Sequence, residues 1–424
     1  MHPLGRPPFP PKVILHRGLA LLAASFLPSG RLSNLVGGEK GLFHGPDSLA
    51  RTFSSSNPAM TMKATSTFAD ELGRYAKQLC GEWSIGPSVA LDRLVPELGG
   101  DKHKGQLGRV GVFGGSKDYT GAPFYASISS LRMGADLAYV FTAQEAAPAI
   151  KTYSPELMVT PVYSAADLTA RGEAATHQAV AAVVAVLPKL HSLLLGPGMG
   201  RDPHVLQAAA EIVAKASTRA LPVVLDADSI AMVVQNPDSV RGFPLVVLTP
   251  NANEFRLLCE RMERDMAEQG SCPPIEGGAA IASEVNVGKK QEAESKAATV
   301  ERLAVFLGGV TIVLKGKVDI ISNGSRTIAC AVPGGLKRCG GIGDVLSGAM
   351  VTSLAWVSLS QRSETLEAEE LRLWAAWWAC AVTRHASRRG YEAHGRAMSA
   401  SNVYENIGGV MEDIAPSPAV EDLI

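Results

Sequence analysis

The residues best equipped by type and spacing to do chemistry lie in one stretch: Gly334, Gly335, Leu336, Lys337, Arg338, Cys339, Gly340, Gly341, Ile342, Gly343 and Asp344. Five glycines in ten residues let the backbone approach a ligand closely. The apolar run at 345–356 reads as a helix. The amides ahead of it, with its positive end, form an anion site, and Lys337 and Arg338 add reach toward phosphates. An acid at the mouth of such a site suits a base beside a phosphate. It equally suits a helix cap in an ordinary strand–turn–helix connection.

Other candidates follow apolar runs. Lys315-Gly316-Lys317-Val318-Asp319 comes after the run ending at Leu314. A lysine there meets a phosphate as a point charge, or the segment is a hairpin turn into 320–322. Asn251 and Glu254 lie three apart in Thr249-Pro250-Asn251-Ala252-Asn253-Glu254-Phe255. On a helix start both face one side, which suits a magnesium ion held largely through water, or a capping box. Asp226-Ala227-Asp228 fits a metal or hydroxyl site, or the cap of a helix beginning at Ile230. Gly196-Pro197-Gly198-Met199-Gly200-Arg201-Asp202 is a loop able to fold over a bulky ligand, or simply a tight loop.

These segments need a common scaffold. Apolar runs at 109–113, 137–141, 157–162, 192–195, 222–225, 245–248 and 310–314 alternate with helical stretches, and a β-rich run spans 326–332. Strands apolar on both faces belong in a parallel sheet covered by helices on both sides. Ligands in such folds bind beyond the carboxyl ends of the strands, where the candidate segments fall. A lead-in helix is expected at 67–78, a helix at 122–134 and a second helical stretch at 371–388, with Trp374, Trp377 and Trp378 in the core. The run 384–389 reads as a solvated helix end. A polar segment at 262–299, containing Cys272-Pro273-Pro274, reads as a solvated insertion or long loop.

The totals narrow the function classes. With 424 residues, 46% hydrophobic and 19% charged, the chain can build one large α/β core. A formal charge of −1 gives no case for nucleic acid or a membrane surface. Six cysteines without CxxC spacing point to reduced thiols rather than zinc or a disulfide scaffold. Residues 1–64 differ in composition. No acid occurs before Glu39, and Arg6, Lys12, Arg17 and Arg31 supply charge, as in a mitochondrial or plastid transit peptide. A secretory signal or a plain tail is the alternative. Met60 or Met62 offers a start for a cytosolic form, and 65–424 is expected to be the functional domain. The apolar run at 19–27 is too short to span a bilayer, and no later stretch is expected to qualify.

Phosphoryl transfer needs a magnesium-bound polyphosphate, donors for the equatorial oxygens and a base near the accepting hydroxyl. Asn251 with Glu254, Lys315 with the amides of 340–343, and Asp344 offer these in order. No GxxxxGK[ST] loop occurs at 111–116 or 196–200, so the pattern is not a P-loop.

On these motifs the chain resembles the ribokinase-like superfamily. His103-Lys104-Gly105, Gly114-Gly115-Ser116, Tyr119-Thr120-Gly121-Ala122-Pro123, Gly196 to Asp202, Asp226 to Asp228, Thr249 to Phe255, Lys315 to Asp319 and Gly340 to Asp344 narrow the resemblance to the ATP-dependent (S)-NAD(P)H-hydrate dehydratases, over about 88–415. The resemblance implies a ribokinase-like, mostly parallel sheet with helices on both faces. It implies a hydro-lyase that phosphorylates the ring hydroxyl of hydrated NADH or NADPH with ATP, then loses phosphate to restore the cofactor. By the same resemblance Asp344 is the base and touches the substrate. Gly200, Asn251, Ala252, Asn253, Glu254, Phe255, Arg256 and Leu257 hold the hydrated dinucleotide. Lys315, Gly316, Lys317, Val318, Asp319 and the ten residues from Gly334 to Gly343 bind ATP, and Glu254 holds Mg2+ through water. The family usually carries Gln where this chain has Ile342, and the 262–299 insertion is longer than the family pattern. Two alternatives stay open: a kinase of a vitamin-type alcohol, and a nucleotide-binding regulator without turnover. The second fits poorly with Asp344 and Glu254 both present. The expected partners are small molecules, with no nucleic acid and no membrane. A homo-oligomer is left open.

Overall fold

The apolar runs become strands buried on both faces, except at 158–163, where Thr160 and Pro161 are exposed. The computed structural model describes residues 68–268, 289–360 and 366–419. Ten strands form one sheet: β1 Ala76–Cys80, β2 Arg109–Phe113, β3 Leu137–Ala143, β4 Met158–Tyr163, β5 Ser192–Leu195, β6 Val223–Leu225, β7 Val246–Leu248, β8 Thr311–Leu314, β9 Asp319–Ser322 and β10 Thr327–Cys330. Their order is β1-β10-β9-β8-β7-β6-β5-β2-β3-β4. From β8 to β4 all neighbours run parallel. From β8 to β1 they alternate antiparallel, with Ile320 opposite Leu314 and Asp319 opposite Cys330.

This order sets the site. Strands β2, β5, β6, β7 and β8 are neighbours and all point the same way. Their carboxyl ends therefore deliver Gly114, Gly196, Asp226, Thr249 and Lys315 along one edge. β9 starts and β10 ends at that same edge, so the Gly334–Asp344 stretch leaves the sheet there too.

Two apolar layers flank the sheet. One packs helices Gly121–Met133, Ile342–Leu359, Leu366–His394 and Ala400–Ile414 around Trp374, Trp377 and Trp378, as expected for the tryptophans. The other packs Glu173–Val184, Pro203–Ser217, Asp228–Gln235, Ala252–Glu268 and Lys289–Phe306.

Four expectations change. The lead-in helix stops at residue 73, and Ala76–Cys80 is an edge strand paired with β10. The polar segment at 262–299 is not a loop throughout. The helix Ala252–Glu268 reaches into it, the helix Lys289–Phe306 emerges from it, and 269–288 lies outside the described residues. Arg384 is not solvated. It forms an ion pair with Asp319 and is 12% exposed. The helix Ile342–Leu359 is long and apolar enough to cross a membrane by length and composition, against expectation. Yet 72% of it is buried, as a core helix would be. The leader at 1–64 lies outside the described residues.

Candidate active site

Asp344 is the third residue of the helix Ile342–Leu359, not its cap. Gly341 holds the N-cap position with φ +94°, a left-handed conformation that glycine adopts without strain. No side chain caps this end. The half-buried carboxyl of Asp344 is pushed up to about 7, first by burial and then by the charges of Asp226 and Asp228, while Lys315 pulls the other way. A carboxyl near neutrality is matched to taking a proton at physiological pH.

Lys315 faces the same point. A Cβ placed on Gly343 would lie 3.7 Å from its Nζ, so the ammonium reaches the loop just before Asp344. Nζ donates to Asp226 Oδ1 at 2.7 Å. Burial alone would lower the lysine's pKa. The charge and hydrogen bond of Asp226, with Glu254 and Asp344, outweigh it and raise the value. Asp226 is 1% exposed and also accepts from Thr249 Oγ1 at 2.8 Å.

The Asp226–Asp228 segment is not a cap either. The helix Asp228–Gln235 begins after Ala227, which has φ +48° and no capping side chain. Asp228 instead accepts from the Gly200 amide at 2.9 Å and pairs with Arg201 at 3.2 Å. It thereby ties the glycine loop after β5 to the site. Gly196, at the base of that loop, packs so closely on Asp226 that a side chain would overlap its carbonyl.

At Asn251 the capping-box geometry is present. Asn251 Oδ1 accepts from the amides of Asn253 and Glu254 at 3.0 Å each, and Glu254 Oε2 accepts from the Asn251 amide at 2.8 Å. Burial raises the Glu254 pKa, and the Asn251 amide and Lys315 offset part of this. Asn251, Ala252, Asn253 and Arg256 are exposed. Phe255 packs partly against the core, and Leu257 is half-buried. Arg256 pairs with Glu260 and donates to Asn253 Oδ1 at 3.1 Å.

In the glycine-rich stretch, Leu336 is 80% exposed and Gly340 is exposed. Lys337 Nζ donates to the Arg396 carbonyl and Arg338 to the Gly335 carbonyl at 2.9 Å. Cys339 and Ile342 pack against the core, so the apolar side chain of Ile342 is spent on packing. Gly334 is half-buried and Gly335 buried against the helix Leu366–His394. In the Lys315 turn, Gly316 donates to Asp319 Oδ1 at 2.9 Å and Val318 is exposed. The Asp319 carboxylate accepts from that amide and from Arg384, and so shapes the turn.

The structure thus brings Asp344, Lys315, Glu254 and Gly200 into one electrostatic group. It adds Asp226, Asp228, Thr249 and Arg201, to which the resemblance assigns no role. The strand-end rule flagged Asp226 and Asp228, because each follows an apolar run as Lys315 does. Tyr163 was not flagged. Its hydroxyl donates to the Gly115 carbonyl at 2.8 Å and fixes the first glycine turn.

Comparison with known proteins gives consistent results. A family model described as NAD(P)H-hydrate dehydratase matches residues 110–408. A protein of Emericella nidulans named ATP-dependent (S)-NAD(P)H-hydrate dehydratase is 40% identical over 74% of this chain and 89% of its own length. Proteins of the same name from Danio rerio and Homo sapiens are 35% and 37% identical, over 84% and 76% of this chain and 98% and 82% of theirs. Among solved structures, a ribokinase-like superfamily protein of Enterococcus faecalis aligns with a TM-score of 0.54 at 20% identity, over 78% of this chain and 95% of that one. The ADP/ATP-dependent NAD(P)H-hydrate dehydratase of Bacillus subtilis, co-crystallised with ATP and Mg2+, aligns with a TM-score of 0.51 at 19% identity, over 79% and 99%. Those two likenesses give the ribokinase-like fold. The match across 110–408 and the identity to full-length relatives give more, and on them this chain belongs to the NAD(P)H-hydrate dehydratase family.

Proposed function

We propose that the chain dehydrates the S-epimer of hydrated NADH and NADPH at the expense of ATP, as its relatives' names describe for them. The observation that carries the reading is the meeting of Asp344, poised near neutrality, with Lys315 at Gly343. Asp344 takes the proton of the ring hydroxyl while that oxygen attacks the γ-phosphorus of ATP. The bond to ADP breaks and a phosphate ester forms. Lys315 and the amides of Gly340–Gly343 meet the charge on the equatorial oxygens. The ring nitrogen then drives out phosphate, a far better leaving group than hydroxide. Loss of a proton from the neighbouring ring carbon restores NAD(P)H. The partly exposed segment Asn251–Leu257 with Gly200 faces the dinucleotide, and 315–319 with 334–343 faces ATP.

Magnesium fits this site as a guest of ATP rather than of the protein. Among the described residues no three acidic, histidine or cysteine side chains group as metal ligands. Glu254 keeps one oxygen outside its capping bond and would hold the ion through water. When bound, the ion supplies charge neutralisation of the polyphosphate. Residues 1–64 act in this reading as a transit peptide to the mitochondrion or plastid, which a fluorescent fusion of that segment tests.

The decisive assay incubates the protein with ATP, magnesium and hydrated NADH, and follows NADH absorbance and phosphate. NADH recovery with one phosphate released per NADH is expected. Folded protein that hydrolyses or transfers from ATP only with another alcohol would replace this reading by a kinase.

A further inference from the structure

The two segments read as facing ATP lie apart in sequence, yet one side chain is bonded at the root of both. Arg384, in the helix Leu366–His394, donates from Nε to Asp319 Oδ2 at 2.6 Å and from Nη2 to Asp319 Oδ1 at 2.7 Å. Its Nη2 also donates to the Gly316 carbonyl at 2.8 Å. Its Nη1 donates to the carbonyls of Lys317 at 3.0 Å and Val332 at 3.3 Å. The first four bonds fix the turn that carries Lys315. The last fixes the residue from which the glycine-rich stretch departs.

One turn further along the same helix, Ser387 backs Gly335. A Cβ on that glycine would lie 2.9 Å from Tyr391 Cβ and 3.0 Å from Ser387 Oγ, so the stretch rests directly on this helix. A guanidinium whose only task was to neutralise Asp319 would have no need of three carbonyls from two segments. The planar fork serves that geometry and an ammonium does not.

We propose that Arg384 is a positioning residue for ATP, holding the 315–319 turn in register with the 334–343 stretch so that both face one polyphosphate. The inference rests on the reading that those two segments bind ATP. Arg384 itself is bonded to the protein and acts through them.

The test uses three variants of the full chain: Arg384→Lys, Arg384→Met, and Arg384→Met combined with Asp319→Asn. Calorimetry gives the Kd for ATP with magnesium, steady-state kinetics give KM for ATP and for hydrated NADH, and thermal melts report folding. All binding is measured at a temperature where circular dichroism shows each variant folded. Arg384→Met leaves a buried carboxylate unpaired and lowers Tm, and adding Asp319→Asn recovers much of that loss. The Kd and KM for ATP rise about 10- to 100-fold in all three, because a small displacement of the turn is enough. The KM for hydrated NADH stays unchanged.

If the double variant recovers ATP affinity together with Tm, Arg384 only balances charge and the proposal falls. Parental ATP affinity in Arg384→Lys, which keeps the charge and folds even where Arg384→Met does not, overturns it equally. Failure of the functional reading looks different: the parent protein would bind ATP yet leave hydrated NADH untouched, and the ATP-affinity arms would still decide the role of Arg384.

Discussion

At the scale of single residues, the site turns on how its charges divide one proton. Asp344 titrates near 7 because burial and Asp226 outweigh Lys315. Since the base must be ionised, kcat/KM should rise with pH through about 7 on its acid side. Neighbouring substitutions should move that limb in opposite directions. Asp226→Asn removes the largest repelling charge and frees Lys315 toward Asp344, so the limb shifts to lower pH. Lys315→Met removes the attracting charge, so the limb shifts up while KM for ATP rises. A pH profile of each variant checks both signs, and parallel shifts would remove this account. Asp344→Asn should bind nucleotide but lose turnover by about 10²–10⁴-fold. The same carboxyl costs stability. Its folded pKa lies above the ordinary 3.8, so the folded state holds the proton longer. Stability therefore falls as pH rises from about 4 through 7, and the full deficit is present above that range. Asn carries no such deficit. Thermal melts should show Asp344→Asn more stable than the parent at pH 8, with the gap closing toward pH 4.

At the scale of elements, the helix Ile342–Leu359 carries Asp344 and is held by close packing on the helix Gly121–Met133. A side chain on Gly348 would overlap the Ala126 carbonyl of that neighbour. Gly348→Ala should therefore cost about 1–3 kcal/mol and lower kcat as the base is displaced. Gly408, in the helix Ala400–Ile414, offers the contrast. Its nearest obstacle is the Arg132 carbonyl at 3.8 Å, so Gly408→Ala should gain about 0.5–1 kcal/mol with activity intact. Denaturant unfolding measures both. How far such elements were legible depended on burial. Seven strands, β2 to β8, coincide with apolar runs; all but β4, an edge strand with Thr160 and Pro161 exposed, are covered on both faces. β1 is an edge strand with four of its five residues exposed, so it left no apolar signature and read as part of a helix. The ends of the 262–299 segment are polar helices, whose composition is hard to tell from that of a loop. Arg384 was missed for another reason: its partner lies 65 residues away, and nothing local marks one arginine of a basic helix end as buried. Asp344 and Asn251 were ambiguous because capping and catalysis use the same residue types. In the structure Gly341, not Asp344, holds the cap position, while at Asn251 a capping box holds the start of the helix in place.

At the scale of the molecule, the chain as a whole is nearly neutral, but its charge is uneven where ATP must bind. Asp226, Asp228, Glu254 and Asp344 face Lys315 and Arg201, so four carboxylates stand against two cations. A polyphosphate without a counter-ion would be repelled by that group. Glycine-loop amides and one lysine would have to overcome the repulsion alone. A divalent cation would turn the same carboxylates into an attraction, so on the proposed reading the metal complex is expected to bind more tightly than free ATP. Removing magnesium with a chelator should therefore weaken ATP binding by on the order of tenfold or more. Neutralising Glu254 as Gln should narrow that difference, because Gln keeps the capping acceptor but not the charge that favours the ion. Thermal shift reads the same linkage. At about 100 times the Kd, ATP with magnesium should stabilise the fold by about 2.7 kcal/mol, and ATP with chelator by much less. Equal shifts with and without magnesium would mean that the amides and Lys315 suffice, and that the acidic group serves the dinucleotide side of the cleft instead.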